Sequence, residues 1–397
     1  MKNMQRRSLL QATPLFAAST LAANVSKAKL YTVGVLGHTG RGNFGHGLDT
    51  VWMHLPQTQI VAVSDGNPAG LKKAQNKLKT EHGYTDFRKL LQKHRPDIVA
   101  VCPRHPDQHA AMIIAACENG AKGIYIEKPY CLNLGEAHQI GKALEAHKTK
   151  IAVAHRNRYH PLLPTLNKMI REGAIGKVME IRGRGKEDRR GGGEDLWVLG
   201  THVLNLARQF SGRFTSCSAI LLQDQRPVTP KDCRPGNEAL GTLAGNELHA
   251  RYMTESGIPV YFDSIQNYGN RQAGFGLTIV GNEGMINLRC DRSPIAYLQK
   301  GTPWNPSPNS RSWQPIGVDG PGSAPLPKEQ IHDVHHHIAS TQDLIAAMEE
   351  EDRQPLCNHI EGMETVEMVM ATFESHRQGG KVVPLPLKVM DNPLDRL

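Results

Sequence analysis

Residues 33–47 read Val-Gly-Val-Leu-Gly-His-Thr-Gly-Arg-Gly-Asn-Phe-Gly-His-Gly, a short apolar run that passes directly into a glycine-rich turn. The run has the length and composition of a buried strand. Glycines after such a strand let the backbone approach a phosphate, which N–H groups at the start of a following helix can hold. The stretch therefore predicts the first unit of a dinucleotide-binding α/β fold.

The glycine spacing fits the dinucleotide motif in two registers. Gly40, Gly42 and Gly45 match G-x-G-x-x-G literally, whereas the glycine directly after the strand is Gly37, and counting from it puts Thr39 at the second glycine. Both registers leave small residues beside the phosphates. The predicted cofactor-binding residues of the turn are Gly37, Thr39, Gly40, Arg41 and Gly42.

Apolar runs and helical patterns alternate as far as residue 154. The apolar runs are residues 33–36, 60–63, 98–101, 123–126 and 151–154, and the helical patterns span 68–82, 87–93 and 108–119. Repeated strand–helix–strand units connect through right-handed crossovers and build a parallel, doubly wound sheet. We therefore predict an α/β domain over residues 29–152.

An acidic residue, Asp65, follows the second apolar run. A carboxylate at this position of a dinucleotide fold accepts hydrogen bonds from the ribose hydroxyls and repels a 2′-phosphate, which favours NAD over NADP as the cofactor. The alternative interpretation is a turn residue or helix N-cap.

The fourth apolar run ends on Glu127, Lys128 and Pro129. The carboxyl ends of parallel strands face the ligand crevice, and a residue before proline is held extended, so the amine of Lys128 is directed towards that crevice. We interpret Lys128 as a candidate for chemistry. The alternative is a solvated lysine at a strand end.

Short motifs in a fixed order resemble those of the glucose-fructose oxidoreductase / inositol dehydrogenase / MocA family. They are E-K-P at 127–129, the segment 103–109 with its helix up to residue 120, the run from 158–161 through 172–178, and the C-terminal segments 373–376 and 383–387. The resemblance covers nearly all of the chain after residue 28. It implies an N-terminal Rossmann domain that binds NAD, and a C-terminal α/β domain, residues 153–397, with a mostly antiparallel open sheet.

The same resemblance implies roles for individual residues. In that family the lysine of E-K-P contacts substrate and nicotinamide, and a D-x-G-x-H motif supplies acid and base groups. This chain has glycine and histidine at Gly200 and His202, but the aspartate position is Val198. His202 is the candidate base, because imidazole titrates in the useful range.

Several further site residues are predicted. Glu194 and Asp195 are candidates for the missing carboxylate, and the alternative is that they belong to a solvated loop. Arg156, Asn157 and Arg158 follow a strand into the crevice, and of these Arg158 is the predicted substrate ligand. The remaining cofactor-binding candidates, by resemblance, are Pro103, His109, Glu127 and Lys128.

The N-terminus has the layout of an export signal. Residues 1–28 hold Arg6-Arg7, then Leu9-Leu10, an apolar stretch and small residues, which is typical of twin-arginine export and predicts a periplasmic or otherwise exported protein. Four of the nine net positive charges lie in this segment. The remaining charge, without a basic run, does not indicate nucleic-acid binding. No apolar run of the chain is long enough for a membrane span, so we expect no stable membrane association after signal removal.

Other sequence features argue against metal and disulfide chemistry. The seven cysteines are odd in number and lack C-x-x-C spacing, so we interpret them as small buried hydrophobes. His332, His335, His336 and His337 begin a helical pattern but lack acidic partners at ligand spacing, and we predict no metal. Residues 301–327, rich in Pro, Gly and Ser, are expected to form a surface excursion at the substrate mouth or a subunit contact.

Three functions remain open at this point. Since no general NAD pool exists outside the cytoplasm, we expect an exported member of the family to carry its NAD tightly bound. The first hypothesis is an oxidoreductase that transfers hydride at a carbinol of a sugar or cyclitol. The second is a redox-neutral enzyme that cleaves glycosides by oxidation, elimination and reduction, and the third is a non-catalytic sugar-binding protein. The expected partner is a small carbohydrate, and a homo-oligomer is expected from the resemblance.

Overall fold

The computed structural model describes residues 29–269, 274–293 and 295–397, so the predicted export signal lies outside the described residues. The N-terminal sheet has the order β3-β2-β1-β4-β5-β6, and all its strands are parallel. Its strands are β1 (Tyr31–Gly37), β2 (Thr58–Asp65), β3 (Gly83–Tyr84), β4 (Ile98–Val101), β5 (Gly123–Ile126) and β6 (Lys150–Val153). The predicted doubly wound sheet is confirmed, and its strand order reverses between β1 and β4.

Helices cover both faces of this sheet. The α-helices of the described residues are α1 (Pro68–Leu78), α2 (Phe87–His94), α3 (His109–Glu118), α4 (Leu134–His147), α5 (Leu163–Arg171), α6 (Gly192–Asp195), α7 (Thr201–Ser211), α8 (Lys328–His335), α9 (Ile338–Glu349) and α10 (His359–Arg377). Alternate residues of the strands enter two separate cores, one with α2, α3 and α4 and the other with α1 and α9. Strands buried on both faces explain why the sequence shows continuous apolar runs.

No α-helix follows the glycine-rich turn, which corrects our expectation of a helix N-terminus there. The chain passes from β1 through turns to a short 3₁₀ helix at Val51–His54. Gly40, Gly42, Gly45 and Gly47 all have positive φ, a conformation that a right-handed helix excludes. Any phosphate held here must therefore meet turn backbone and side chains.

The C-terminal domain is built on a mostly antiparallel sheet, as the resemblance implied. In the described residues its order is β18-β17-β16-β15-β14-β7-β13-β12-β8-β19, with β9 paired to β8, and only the β7–β13 pair is parallel. Its strands are β7 (Val178–Arg184), β8 (Phe214–Gln223), β9 (Arg226–Pro227), β12 (Glu247–Thr254), β13 (Val260–Ile265), β14 (Phe275–Gly281), β15 (Gly284–Cys290), β16 (Ala296–Lys300), β17 (Gln314–Gly317), β18 (Gly320–Pro321) and β19 (Val383–Pro384), and β10 (Arg234–Pro235) and β11 (Thr242–Leu243) form a separate pair.

Residues 301–327 are mostly exposed, and β17 and β18 at the sheet edge belong to them. Burial alternates along β12 and β13, so one face of the sheet packs on the core and the other faces outwards.

The end of the chain returns to the N-terminal domain. The helical pattern that begins at His332 is broken, because His337 adopts a left-handed conformation with φ of 65° between α8 and α9. Helix α9 then packs on β5 and β6, with Leu344 and Ile345 in that core. The two domains therefore share a crevice whose walls come from both halves of the sequence.

Two further expectations concern membranes and cysteines. Among the described residues, no helix combines the length and apolarity that a membrane crossing requires. All seven cysteines are free, and six of them are buried, so the interpretation as small buried hydrophobes is confirmed.

Candidate active site

A cavity of about 280 Å³ lies where the carboxyl ends of the parallel strands face the C-terminal domain. It is lined by His46, Arg104, Glu127, Lys128, Ala154, Arg156, Lys186, Arg190, Val198, Leu199, His202, Glu238, Phe275, Asp291 and His337. Both predicted chemical groups, Lys128 and His202, are on this wall. They reach it from β5 and from α7, so each domain supplies one of them.

Lys128 is held by the backbone of the opposite domain. Its side chain is buried, and Nζ donates a hydrogen bond to the carbonyl of Val198 at 2.9 Å. Burial lowers the pKa of Lys128, while the neighbouring Glu127 opposes that change. The alternative of a solvated strand-end lysine is wrong, because the amine sits on the cavity wall at the domain boundary.

The segment that corresponds to the family's D-x-G-x-H motif contains a π-helical turn, Leu196–Gly200, that runs into α7. Such turns occur often at functional sites, because they change which groups face inwards. At the aspartate position of the motif, the backbone carbonyl of Val198 meets Lys128. A neutral dipole therefore contacts the amine where the family pattern has a carboxylate.

His202 contacts a second histidine, His155, which lies two residues after the end of β6. The two Nδ1 atoms lie 3.5 Å apart and the rings meet edge to face, a weak contact in which one nitrogen carries the hydrogen. Burial, followed by the positive charge of Lys128, lowers the pKa of His202 well below its usual value. Burial likewise lowers the pKa of His155 to about 3, so both rings are neutral at pH 7.

The two acids proposed as substitutes for the missing aspartate lie elsewhere. Glu194 accepts hydrogen bonds from the side chain of Asn237 at 3.1 Å. Asp195 is fully buried and accepts from the backbone N–H groups of Lys186 and Glu187 and from the hydroxyl of Ser264. Neither acid lines the cavity, so the structure does not support a catalytic role for them, and Asp195 fixes the loop that carries Lys186.

Asp65 holds the glycine-rich turn against β2. The carboxylate is fully buried and accepts from the N–H of Thr39 at 2.9 Å, from its hydroxyl at 2.5 Å, and from the N–H of Asn67 at 2.9 Å. The turn role named as the alternative for Asp65 is therefore present, and its contact with a ribose stays a prediction. The N-cap of α1 is Asn67 and not Asp65.

A second cavity, of about 190 Å³, opens beside this turn at the ends of β1 and β2. Its lining includes Gly37, Ser64, Gly66, Thr85 and Met112. Arg104, in the loop after β4, lines the first cavity, and Gln108, further along the same segment, lines the second. A Cβ on Gly42 would come within 2.2 Å of the backbone nitrogen of Arg104, so glycine is required for this close approach.

His109 connects two loops and lines neither cavity, and its predicted contact with the cofactor stays a prediction. The ring is fully buried; Nε2 lies 2.8 Å from the carbonyl of Pro103, and Nδ1 lies 2.9 Å from that of Pro129. It therefore ties the loop after β4 to the loop that presents Lys128. Glu127 does line the cavity, where its carboxylate lies 3.3 Å from Nδ1 of His46.

Arg158 does not bind in the crevice, so this substrate-binding prediction is wrong. Its guanidinium is buried and bonds to the carboxylate of Glu361 at 2.8 Å and to the carbonyl of Asn205 at 2.9 Å. The 3₁₀ turn Arg156–Tyr159 sends the two arginines in different directions, and Arg156 is the one on the cavity wall, paired with Asp291 at 2.9 Å.

The metal-binding interpretation of the histidine cluster finds no supporting geometry. His332 and His336 stack on each other with ring centroids 3.9 Å apart. Within the described ranges, no group of three or more His, Cys, Asp or Glu residues is arranged to hold a metal ion. Only His337 of the four reaches the cavity, and the sequence analysis gave it no role there.

A Rossmann sheet whose crevice presents a buried lysine and a neutral histidine defines a nicotinamide-dependent oxidoreductase. Comparison with known families agrees. The description "Oxidoreductase family, NAD-binding Rossmann fold" matches residues 32–155, and "Oxidoreductase family, C-terminal alpha/beta domain" matches residues 167–385. The chain belongs to the glucose-fructose oxidoreductase / inositol dehydrogenase / MocA family.

Curated relatives include two sugar dehydrogenases. A D-apiose dehydrogenase of Paraburkholderia graminis is 24% identical over 94% of both chains. A levoglucosan dehydrogenase of Pseudarthrobacter phenanthrenivorans is 29% identical, but the match covers only 49% of this chain and 52% of that protein. Among solved structures, a levoglucosan dehydrogenase in complex with NADH has a TM-score of 0.70 at 20% identity, over 90% of this chain and 100% of that one. This structural similarity shows a shared fold.

The residues present fit NAD, the cofactor of this fold. Both cavities touch the glycine-rich turn and the segment after β4: His46 and Arg104 line the cavity of about 280 Å³, and Gly37 and Gln108 line that of about 190 Å³. We expect the two halves of the dinucleotide to occupy them. We expect the backbone at Gly42 and at Arg104 to contact the phosphates, whereas the N–H and hydroxyl of Thr39 donate to Asp65 and hold the turn in place. Lys128 and Glu127 line the cavity of about 280 Å³, where the nicotinamide would bind.

We expect Asp65→Ala to weaken NAD binding by about tenfold or more, since buried N–H groups that lose their acceptor cost about 1–3 kcal/mol and the turn loosens. Fluorescence titration with NADH, and with NADPH in parallel, measures the change. Asp65→Asn is the matched control, because its amide oxygen still accepts from the backbone while the charge is lost. It should hold NADH better than the alanine variant and discriminate less against NADPH. An unchanged NADH affinity in Asp65→Ala would refute the role.

Proposed function

We propose that this protein oxidises a carbinol of a sugar, cyclitol or related carbohydrate, with NAD retained in the crevice. The observation that carries the proposal is the shared cavity wall, on which Lys128 from one domain and His202 from the other face the same space. The dehydrogenase relatives that act on levoglucosan and apiose support this substrate class.

Lys128 and His202 have different roles at the substrate hydroxyl. NAD, when bound, supplies the hydride acceptor. The ammonium of Lys128 donates a hydrogen bond to the substrate oxygen and stabilises negative charge as it develops there. His202 takes the hydroxyl proton at Nε2, which has no protein partner among the described residues. This requires that Nδ1 of His202 carries the hydrogen towards His155.

The charges around His202 favour a readily reversible transfer of the hydroxyl proton. His202 stands beside Lys128 and a neutral His155, without the carboxylate that would stabilise an imidazolium. The proton therefore passes on readily to solvent or back to the substrate. This suits an enzyme that returns hydride within the same site as well as one that releases its product.

The acid limb of the pH profile of kcat/KM tests the role of His155. In the parent protein His202 stays neutral well below pH 6.5, so kcat/KM should show no loss from this group near neutral pH. His155→Asp places a negative charge beside His202 and raises its pKa, so the base becomes protonated at higher pH and the acid limb should move up by about one pH unit or more. His155→Asn adds no charge and should leave the limb in place. Identical profiles for the two variants would contradict the pairing.

A screen with two readouts tests the proposed function. The purified protein is denatured to identify any bound nucleotide, and the intact protein is offered sugars, cyclitols and glycosides while absorbance at 340 nm is followed. We expect stoichiometric NAD and a single turnover of reduction on a carbohydrate. Absence of nucleotide binding and of reduction with every compound would refute the proposal and favour a non-catalytic sugar-binding protein.

Redox-neutral glycoside cleavage is the second candidate, and one observation favours it. Besides oxidation, that route needs a base for the C–H next to the new carbonyl and an acid for the leaving oxygen, and the cavity holds His337 in addition to His202. Turnover of a glycoside with bound NAD and no net change at 340 nm would identify this route.

Export and assembly remain proposals. We propose that the mature chain works outside the cytoplasm with NAD loaded before transport, and that it forms a homo-oligomer. Fusion of residues 1–28 to a reporter, with Arg6 and Arg7 replaced by lysines as control, tests the export signal. Light scattering of the purified protein tests the assembly.

A further inference from the structure

His337 presents an unpartnered nitrogen to the cavity. Its side chain is 2% exposed, and Nε2 is buried without a hydrogen bond among the described residues. Buried polar atoms of native proteins are nearly always hydrogen-bonded, so an open one on a cavity wall indicates a ligand. The residue enters the site from the start of α9, on a different element from either Lys128 or His202.

A ring of hydrogen bonds decides what Nε2 can do. The hydroxyl of Ser340 donates to the carbonyl of His337 at 3.0 Å. Oγ of Ser340 also lies 2.7 Å from the hydroxyl of Tyr125, which lies 2.7 Å from Nδ1 of His337, and either hydroxyl can be the donor. In one of the two consistent arrangements, Nδ1–H of His337 donates to Tyr125 and Tyr125 donates to Ser340. With the hydrogen on Nδ1, the neutral ring presents a lone pair at Nε2. In that tautomer the nitrogen in the cavity is an acceptor.

The backbone and the surroundings support a functional position. His337 has φ of 65°, which is uncommon for a residue other than glycine and is retained mainly where the surrounding structure imposes it. Burial lowers the pKa of His337 to about 4, so the ring remains neutral at pH 7. Glu127, Arg156, His46 and Tyr125 are the charged and titratable groups around it, and a backbone contact with His46 opposes the lowering of the pKa.

We propose that His337 is a substrate-binding residue whose Nε2 accepts a hydrogen bond from a hydroxyl of the bound carbohydrate. The proposal rests on the proposed function and narrows it, because the substrate must carry a donor hydroxyl besides the one that Lys128 and His202 act on. A polyol or sugar with further free hydroxyls meets this requirement. A substrate with one isolated alcohol leaves Nε2 buried and unpaired.

The tautomer is tested first, and this test needs no substrate. The full-length protein is labelled with ¹⁵N-histidine, and long-range proton–nitrogen correlation spectra are recorded at pH 7 with and without NADH. His337 is assigned by the signal that His337→Asn removes. We expect the hydrogen on Nδ1 in both states and a switch of tautomer population in Tyr125→Phe. A hydrogen on Nε2 in the parent protein would overturn the proposal whether or not the protein is an enzyme.

Two variants then test the ligand. His337→Asn suits the left-handed backbone and removes the Nε2 position, whereas His337→Gln places an amide group near that position. On whichever of levoglucosan, D-glucose and myo-inositol the parent oxidises, we expect the asparagine variant to raise KM about 5- to 100-fold. The glutamine variant should recover most of that loss. His336→Asn, at an exposed neighbour outside the cavity, is the control.

The cofactor is the competing source of a donor. Two results together would assign Nε2 to the cofactor and overturn the proposal. NADH alone would move the Nε2 resonance of His337 to that of a hydrogen-bonded acceptor, and His337→Asn would weaken NADH binding while the KM for the carbohydrate stays unchanged. Equal KM and kcat in His337→Asn and the parent would overturn it as well. Deoxy analogues of the carbohydrate that the parent oxidises test the same contact. One of them, which lacks the hydroxyl that donates to Nε2, should have a similar KM in the parent and in His337→Asn.

Discussion

Lys128→Met is expected to lower the rate of hydride transfer on the order of 10³-fold, because it removes the hydrogen-bond donor that stabilises charge on the substrate oxygen. Methionine has nearly the same length and keeps the apolar stem packed. The protein should remain folded, since a buried cation is replaced by an apolar group and only the contact with the carbonyl of Val198 is lost. Single-turnover reduction of bound NAD at 340 nm measures the effect.

Two controls separate chemistry from binding in that experiment. Lys73→Met, at an exposed position of α1 without an ion-pair partner among the described residues, should behave as the parent. The dissociation constant of NADH should change by less than about threefold in Lys128→Met. A variant with parental rates on every carbohydrate would remove Lys128 from the mechanism.

His202→Asn is expected to lower the same rate by about 10²–10⁴-fold, the range for loss of a general base. Asparagine retains a polar group that can face His155 but takes up no proton. The residual rate should rise with pH, because hydroxide must replace the imidazole. Rates are followed between pH 6 and 10 in single turnovers.

The outcome for NADH binding decides how His202→Asn is interpreted. An unchanged dissociation constant with a lower rate assigns His202 to the proton step, whereas a weaker affinity with an unchanged rate assigns it to packing. His54→Asn, at an exposed position of the N-terminal domain, serves as the control. A parental rate and pH profile in His202→Asn would contradict the role.

The strands and the lysine could be predicted from the sequence because local rules determine them. A sheet covered on both faces requires continuous apolar runs, and those runs mark β1, β2, β4, β5 and β6 directly. The carboxyl end of β5 then fixes the place of Lys128. The same rule applied to β6 points to His155, the first residue after residues 151–154, although the sequence analysis singled out the arginines that follow it.

The errors have equally local physical reasons. The turn after β1 was expected to lead into a helix, but four glycines with positive φ within eight residues prevent one. The sequence favours Arg158 over Arg156 as the substrate ligand, but the 3₁₀ turn that contains both determines which side chain faces the cavity. The direction of each side chain in that turn cannot be read from composition. Glu194 and Asp195 looked available as acids until their partners, Asn237 and Ser264, were known.

His337 depends on contacts that are distant in sequence. Its Nδ1 contacts Tyr125, which is 212 positions away, and its backbone is left-handed between two helices. In the sequence it is one of three consecutive histidines with no feature that separates it from the others. Such a residue can be assigned only when the two halves of the chain are seen together.

The transfer of deuterium from carbohydrate to nucleotide tests the central claim most directly. The NAD-loaded protein is incubated with fully C-deuterated D-glucose, levoglucosan and myo-inositol in ordinary water, then denatured, and the released nucleotide is analysed by mass. Within the time of one turnover of the parent, the account predicts NADH that carries one deuterium with at least one of these compounds, and labelling slower on the order of 10³-fold in Lys128→Met. Unlabelled nucleotide with all three compounds, or equal labelling in the two proteins, would contradict it.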